Sequence, residues 1–334
     1  MADRRAQLVE VFNDTVQFLR EDPALRAAVA YGRVNTRFYD EDDYPEFPEE
    51  VEEKLRKPSR AEVRRAKKRG IPAETEASGT EKEAPENASP AVSAAERHKN
   101  REGQVRVTKE RTFQAAVKLH EEFPGKRICV LNFASATRPG GGVKFGSGAQ
   151  EESLCRCSTL FPTLDRRWLW QCYYDVNRVM KDVRHTDACI YSPKVLICKT
   201  DEALPRRLSP EEFVQVDVLS CAAPNLRNEA GNGMNPETGK PVRMEPDELY
   251  ALHLKRAKHI LHVAAANEAD ILVLGAFGCG AFMNDPHYVA AAYRDALEEY
   301  RAYFDVVEFA IYCRGSETEN YKAFAEKLQM YTER

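Results

Sequence analysis

Residues 128–152 read ICVLNFASATRPGGGVKFGSGAQEE, and this stretch decides how the rest of the chain is interpreted. The apolar run at its start predicts a buried strand, and a helix is predicted to begin near Gln150. Between them, Gly140, Gly141 and Gly142 carry no side chains, so their backbone amides can approach a ligand closely. We therefore expect a ligand-binding loop directly after a core strand.

A second glycine-rich loop has the same form. After the apolar run ILVL the chain continues GAFGCGAFMNDP over residues 275–286, and a helix is predicted to start near Pro286. Glycine-rich backbone between a strand and a helix N-terminus is suited to binding a diphosphate. We expect the two loops to lie at the ends of strands of one sheet and to hold opposite ends of one nucleotide.

Short apolar runs alternate with helical patterns through the rest of the chain. The patterns predict strands at 128–133, 194–198, 214–219, 271–274 and 306–312, and helices near 106–122, 150–160, 165–181, 246–268 and 286–304. Strands that alternate with helices indicate a mixed or largely parallel sheet covered on both faces. We predict an α/β domain of three layers, α/β/α, over residues 105–334.

Residues 1–104 differ in composition and are predicted to form an accessory segment. Residues 5–30 have the spacing of an amphipathic helix, because apolar residues recur at steps of three and four: Leu8, Val11, Phe12, Val16 and Leu19. From about residue 40 to 100 large apolar residues are scarce, which predicts a mobile insertion. Within it, the stretch from Lys54 to Arg69 contains nine basic residues and only one acidic residue. This run is either a solvated surface or a patch that contacts a polyanion.

Composition limits the cellular setting. The 334 residues are 43% apolar, with a net charge of −4 and nine cysteines at irregular spacing. No apolar run reaches the roughly 18 residues of a membrane span, and the start MADRRAQLVE does not resemble a secretory signal. We therefore expect a cytoplasmic protein with reduced thiols and no membrane partner; a eukaryotic source would also allow a nuclear location.

Metal and thiol chemistry are weakly supported. Cys155 and Cys157 lie two apart, which places them on different sides of a helix, and no second cysteine pair follows at zinc spacing. His259 and His262 share a helix face but lack a third ligand. Cys279 is expected to be a packing residue, because no histidine is predicted beside it. We predict no metal and no cofactor.

The adjacent acids Glu151 and Glu152 offer acid–base chemistry. Neighbouring helix residues point about 100° apart, so the two side chains are not expected to flank one bond and need separate roles. One could accept hydrogen bonds from ribose hydroxyls, while the other, partly desolvated, would have a raised pKa and donate a proton. Alternatively, both are first-turn acids favoured by the helix dipole.

Three glycines, a seven-residue spacer and Gln150-Glu151-Glu152 together resemble the signature of poly(ADP-ribose) glycohydrolases. The flanking sequence, over about residues 105–310, is similar to the microbial-type members. The spacer VKFGSGA departs from the expected sequence at Lys144 and Phe145. The resemblance implies a macrodomain-like fold behind an N-terminal helical accessory segment. It also implies a glycosidase that cleaves the ribose–ribose O-glycosidic bonds of poly(ADP-ribose), mainly from chain ends, and releases ADP-ribose.

The resemblance also implies roles for individual residues. Glu152 would be the general acid and then the base that activates water, Glu151 would hold ribose hydroxyls, and Asn132 would contact the distal ribose. Phe282 would orient the terminal ribose, and Phe309 is a candidate for the adenine pocket or a plain core residue. The other residues expected at the substrate, including the diphosphate cradle, are Gly140, Gly141, Gly142, Gln150, Gly275, Phe277, Gly278, Cys279, Gly280 and Ala281. The substrate's own diphosphate could stabilise the oxocarbenium-like transition state.

Two other functions fit the same sequence. A macrodomain that binds ADP-ribose without cleaving it needs both loops but has no use for the acid Glu152. A hydrolase of mono-ADP-ribosyl groups on protein or nucleic acid would hold the same terminal unit in the same pocket. The expected partners are therefore poly(ADP-ribose) or ADP-ribosylated protein.

Overall fold

One seven-stranded sheet organises the chain. The computed structural model describes residues 2–48, 103–229, 231, 239–316 and 318–332, so the basic run at 54–69 and most of the predicted mobile insertion lie outside the described residues. The strands are β1 (Arg37–Tyr39), β2 (Gln104–Thr108), β3 (Ile128–Phe133), β4 (Cys189–Ile197), β5 (Val214–Cys221), β6 (Ile271–Leu274) and β7 (Val306–Ala310). Their order is β1-β4-β5-β3-β6-β7-β2, with β4 antiparallel to both neighbours and the other pairs parallel.

Helices cover both faces of this sheet. They are α1 (Ala2–Glu21), α2 (Pro23–Asn35), α3 (Thr112–Glu122), α4 (Gln150–Cys157), α5 (Phe161–Leu164), α6 (Arg167–Leu169), α7 (Asp175–Met180), α8 (Pro246–Ala266), α9 (Pro286–Tyr300) and α10 (Glu319–Thr332). A π-helix (Trp170–Tyr174) joins α6 to α7, and a short 3-10 helix (Val143–Phe145) lies between β3 and α4. The predicted mixed α/β sheet is confirmed.

Alternation along β3 separates the core into two layers. Cys129 and Leu131 pack into the cluster that contains the buried residues of α8, α9 and α10. Ile128 and Val130 pack on the opposite face, in the cluster that contains the buried residues of α3, α4 and α6. Because successive strand residues point to opposite faces, an almost wholly apolar strand is what a sheet covered on both sides requires.

The predicted boundaries needed correction in four places. The helix expected at 106–122 begins only at Thr112, because residues 104–108 form β2, an edge strand paired with β7. The strand expected at 194–198 begins at Cys189, the helix expected at 165–181 is divided into α6, the π-helix and α7, and the opening helix is two helices. The break between α1 and α2 falls at Asp22, whose carboxylate accepts from the amide of Leu25, with Pro23 in the first turn.

The N-terminal segment packs into the same structure as the residues after 103. β1 pairs with β4, and Phe12 of α1 packs edge-on against Phe161 with ring centroids 5.1 Å apart. Thr15 donates to the carbonyl oxygen of Arg156 at 2.6 Å. Gly146, with φ +72°, lies so close to α1 that an added Cβ would sit 2.3 Å from the carbonyl oxygen of Arg5. Helix α1 therefore supports the outer side of the first glycine loop. None of the helices described has the length and apolarity that a membrane span needs.

Candidate active site

A cleft of about 620 Å³ lies where the loops after β3 and β6 meet. These strands are parallel neighbours, so their carboxyl ends lie at the same edge of the sheet. Both glycine loops and both acids line the cleft: Gly141, Gln150, Glu151, Glu152, Gly278, Gly280, Ala281 and Phe282. The two loops therefore open on the same side of the molecule, as the sequence predicted.

Glu151 is held by hydrogen-bond donors at the end of β3. Its Oε2 accepts from the amide of Ser135 at 2.7 Å, and its Oε1 accepts from the amide of Gly140 at 3.2 Å and from Asn132 Nδ2 at 3.5 Å. The side chain is 3% exposed. Three N–H donors suit an ionised carboxylate, so this side chain is fixed as an acceptor at the wall of the cleft.

Glu152 has one bonded oxygen and one without a partner. Oε1 accepts from the amide of Gly142 at 2.8 Å, whereas Oε2 is buried and has no hydrogen-bond partner among the described residues. A buried carboxylate oxygen without a donor is costly, while a protonated oxygen there would carry a hydrogen ready for a ligand. We place the proton of the pair on Glu152 Oε2.

The surroundings shift the pKa of both acids in the same direction. Burial raises the pKa of Glu152, which the amide of Gly142 and the positive charge of Arg156 partly counteract. Burial also raises the pKa of Glu151 well above its ordinary value, and the charge of Glu152 raises it further. Two such neighbours favour a state in which they share one proton. The larger upward shift falls on the pKa of Glu151, but its oxygens accept from three N–H donors, which favour the ionised form, so the contacts place the shared proton on Glu152.

The first glycine loop holds the acids rather than a diphosphate, which corrects the sequence-based expectation. The amides of Gly140 and Gly142 donate to Glu151 and Glu152, and the amide of Gly141 donates to the carbonyl oxygen of Arg138. A Cβ on Gly141 would lie 2.5 Å from Glu152 Oε1 and 3.1 Å from Glu151 Oε2. The two carboxylates therefore converge on one loop, although their helix positions point apart.

The second loop keeps its amides available. Within the part of the chain that the structure describes, the amides of Gly278, Gly280, Ala281 and Phe282 make no hydrogen bond. Three of these amides follow one another, and Gly278 has φ +78°. Such backbone forms an anion-binding concavity. The N-terminus of α9 does not contribute, because the carboxylate of Asp285 already caps it by accepting from the amide of His287.

Asn284 fixes the shape of this loop, and the sequence patterns gave no sign of it. Its Nδ2 donates to the carbonyl oxygens of Pro224 and Gly278 at 2.7 and 3.0 Å, and its Oδ1 lies 2.8 Å from His253 Nε2. Burial lowers the pKa of His253 to about 4. The neutral imidazole therefore donates from Nε2 and orients the amide of Asn284.

Gln150 and Asn132 have structural contacts that the sequence did not predict. Gln150 Oε1 accepts from the amide of Phe133, while its Nε2 donates to the carbonyl oxygen of Leu131, so this side chain ties α4 to β3. Asn132 is fully buried, and its Nδ2 donates to Ser220 at 2.9 Å. Its Oδ1 is buried and has no partner among the described residues.

Several predicted substrate contacts lie behind the cleft wall. Phe309 is fully buried between Tyr293 and Phe324, because it points into the core face of β7, so the adenine-pocket expectation is corrected. Tyr312, two residues after β7, lines the cleft instead, is 53% exposed and lies 4.1 Å beneath the guanidinium of Arg111. Seven of the residues predicted to contact substrate do not line the cleft: Asn132, Gly140, Gly142, Gly275, Phe277, Cys279 and Phe309.

The two cysteines and two histidines that were considered as metal ligands have structural contacts instead. Cys155 and Cys157 are fully buried, and burial raises the pKa of both thiols well above the ordinary value. His259 contacts the carbonyl oxygens of Asp187 and Asp43, and His262 contacts that of Pro45. Across the described ranges, no group of three or more His, Cys, Asp or Glu side chains is arranged to hold a metal ion.

Residues 16–200 match the family model of the microbial-type PARG catalytic domain, where PARG denotes poly(ADP-ribose) glycohydrolase. The chain belongs to this family. No curated protein sequence gives a significant match.

Solved PARG structures resemble the whole chain. The enzyme from Thermomonospora curvata is 27% identical, with a TM-score of 0.67, and the match covers 98% of this chain and 100% of that one. A structure of the same enzyme bound to the inhibitor ADP-HPD is 26% identical, with a TM-score of 0.65 and the same coverage. PARG from Deinococcus radiodurans in complex with ADP-ribose is 31% identical, with a TM-score of 0.63, covering 90% of this chain and 97% of that one.

Proposed function

We propose that this protein is a glycosidase that hydrolyses the ribose–ribose O-glycosidic bonds of poly(ADP-ribose) and releases ADP-ribose. Family membership and the related PARG structures with ADP-ribose and ADP-HPD support this activity. One observation in the chain itself carries it. Glu152 lines the cleft with one oxygen fixed by Gly142 and the other buried without a partner among the described residues, which is the arrangement of a poised proton donor.

The reaction follows from that arrangement. Protonated Glu152 donates the hydrogen on Oε2 to the bridging ribose oxygen as the bond to the anomeric carbon breaks, so the shortened polymer leaves with a free hydroxyl. The resulting carboxylate takes a proton from water, whose oxygen attacks the anomeric carbon and restores the acid. One water is consumed, one bond is cleaved, and no covalent enzyme intermediate is required.

The rest of the cleft supplies binding and charge. The amides of Gly278, Gly280, Ala281 and Phe282, which bond to no described residue, suit the diphosphate of the terminal unit. The negative charge of the diphosphate then lies near the ribose that becomes positive. Glu151 accepts hydrogen bonds from the hydroxyls of that ribose, and Phe282 packs against it. We assign the adenine to Tyr312, whose ring is half exposed and has Arg111 on one side.

A comparison of two substrates tests the proposal. Purified protein is incubated with poly(ADP-ribose) and, separately, with a mono-ADP-ribosylated protein, and the products are separated over time. We expect free ADP-ribose from the polymer as the early product, as cleavage from chain ends requires. Early release of oligomers would contradict the preference for chain ends, and cleavage of the mono-modified protein alone would contradict the polymer assignment.

Two matched variants test the role of Glu152. Glu152→Gln keeps the acceptor for Gly142 but removes the transferable proton, so kcat should fall at least about a hundredfold while ADP-ribose still binds. Glu308→Gln is the control, since Glu308 is also a buried glutamate with a pKa raised by burial but lies on β7 outside the cleft, where Thr108 donates to it. Full activity in Glu152→Gln would show that Glu152 is not the general acid, whereas a wild type that binds ADP-ribose but cleaves neither substrate would leave the ADP-ribose-binding alternative.

A further inference from the structure

A second concavity, of about 400 Å³, lies outside the cleft and shares none of its lining residues. It is lined by Arg33, Asp165, Arg166, Arg167, Trp168 and Gln171. The side chains of the three arginines make no hydrogen bond or ion pair with any described residue. Three guanidinium groups without a described partner on one concave surface are unexpected in a chain whose net charge is −4.

Close packing brings these arginines together from distant parts of the sequence. A Cβ on Gly32 would lie 2.7 Å from Thr163 Cγ2, so α2 packs closely against α5. This packing places Arg33 at the same concavity as Arg166 and Arg167. The acid at this surface, Asp165, is already engaged. It accepts from Trp170 Nε1 at 3.1 Å and pairs with Lys144 Nζ at 3.5 Å. The surface therefore keeps a surplus of positive charge.

The chemistry of this surface suits a polyanion that carries aromatic bases. Guanidinium groups bind phosphate oxygens through paired N–H donors, and an indole ring stacks on nucleobases. Each unit of poly(ADP-ribose) adds one diphosphate and one adenine. A polymer of such units could therefore engage both kinds of side chain at the same surface.

The surface adjoins the first glycine loop through Asp165. Lys144, which pairs with Asp165, lies two residues after Gly142, whose amide holds Glu152. Its ammonium group also lies 5.0 Å above the ring of Phe161, which in turn packs against Gly140. Because Glu152 protonates the leaving oxygen, the part of the polymer beyond the cleaved bond departs from the cleft at this loop.

From this juxtaposition, and on the basis of the proposed function, we infer that Arg33, Arg166, Arg167 and Trp168 bind the leaving chain of poly(ADP-ribose). The arginines contact diphosphates of units beyond the cleaved bond, and Trp168 stacks on an adenine. Lys144 connects this surface to the glycine loop. The surface therefore favours long polymer over substrates with a small leaving group.

A double variant with a matched control tests the inference in the full chain. Arg166→Gln with Arg167→Gln is compared with Lys258→Gln with Lys327→Gln, which removes the same charge from α8 and α10 on the opposite layer. Each protein is assayed on long poly(ADP-ribose) and on ADP-ribose that carries a small aryl leaving group. We expect the ratio of kcat/KM for polymer to kcat/KM for the aryl compound to fall about tenfold in the arginine variant alone.

Salt and single-stranded DNA provide further readouts. KM for polymer should rise with salt less steeply in the arginine variant than in the wild type, because fewer phosphate contacts release counterions. An unchanged ratio in a wild type that cleaves both substrates would overturn the leaving-chain surface while the proposed function stands. Weaker binding of labelled single-stranded DNA with no change in the ratio would also overturn it and assign the surface to nucleic acid. Failure of the wild type on both substrates would remove the proposed function itself.

Discussion

The amide nitrogen of Gly142 lies 2.8 Å from Glu152 Oε1 and donates to it, while Glu152 Oε2 has no partner in the part of the chain that the structure describes. The distinction between the two oxygens comes from backbone, not from another side chain. A main-chain donor cannot rotate away, so the free oxygen keeps one direction relative to the cleft.

Gly141→Ala should slow catalysis by displacing Glu152. The new Cβ would lie 2.5 Å from Glu152 Oε1, and a displacement of about 1 Å at a catalytic group can cost about a hundredfold in rate. Gly125→Ala is the control, because Gly125 also has a positive φ, +80°, but no atom of a described residue lies within 4 Å of its added Cβ. Both variants should lose about 1 kcal/mol of stability to backbone strain. Steady-state kinetics and thermal unfolding check this, and equal kcat values would contradict it.

Arg156→Gln should move the alkaline limb of the kcat profile to higher pH. The positive charge of Arg156 lowers the pKa of Glu152, so its removal favours the protonated acid. The general acid works while protonated, and activity should therefore persist to higher pH. Arg156→Lys keeps the charge and should leave the limb in place. Because Arg156 also donates to the carbonyl oxygen of Ser147, the position of the limb is the readout, not the size of kcat. A shift to lower pH would refute this account.

His253→Gln should make the folded state more tolerant of acid. Burial lowers the pKa of His253 to about 4 from its usual 6.5, so the unfolded chain binds a proton at pH values where the folded chain does not. Folding free energy is then lost as the pH falls from about 6.5 towards about 4, by about 3 kcal/mol at most. Glutamine can still donate to Asn284 but does not titrate. Urea unfolding at a series of pH values measures the difference, and parallel curves for the two proteins would argue against it.

The sequence predicted the two loops and the central strands because their signals are local. An apolar run such as 128–133 indicates a strand that is buried on both faces, whatever its neighbours in the sheet, and the glycines that follow indicate a turn. The edge strands β1 and β2 were missed, since three and five residues with exposed positions carry little apolar periodicity. Their assignment as strands depends on partners, β4 and β7, that are remote in sequence.

The role of the first glycine loop could not be predicted from residue types. Bare glycine backbone indicates close approach to something, but only the folded chain shows that the approaching groups are the side chains of Glu151 and Glu152. The expectation that Phe309 lines the cleft was wrong for a similar reason. Phe309 and Tyr312 lie three residues apart, and the point at which β7 ends decides which of them faces the core.

The pairing of β1 with β4 has a practical consequence for anyone who shortens this protein. A fragment that begins near residue 104 would leave β4 as an unpaired edge and uncover the apolar side chains beneath Phe12. Free edges of this kind recruit strands from other molecules, so such a fragment would self-associate in concentrated solution. It would also lack the backbone of Arg5 in α1, which packs against Gly146. Without this contact the first glycine loop could move away from Glu151 and Glu152.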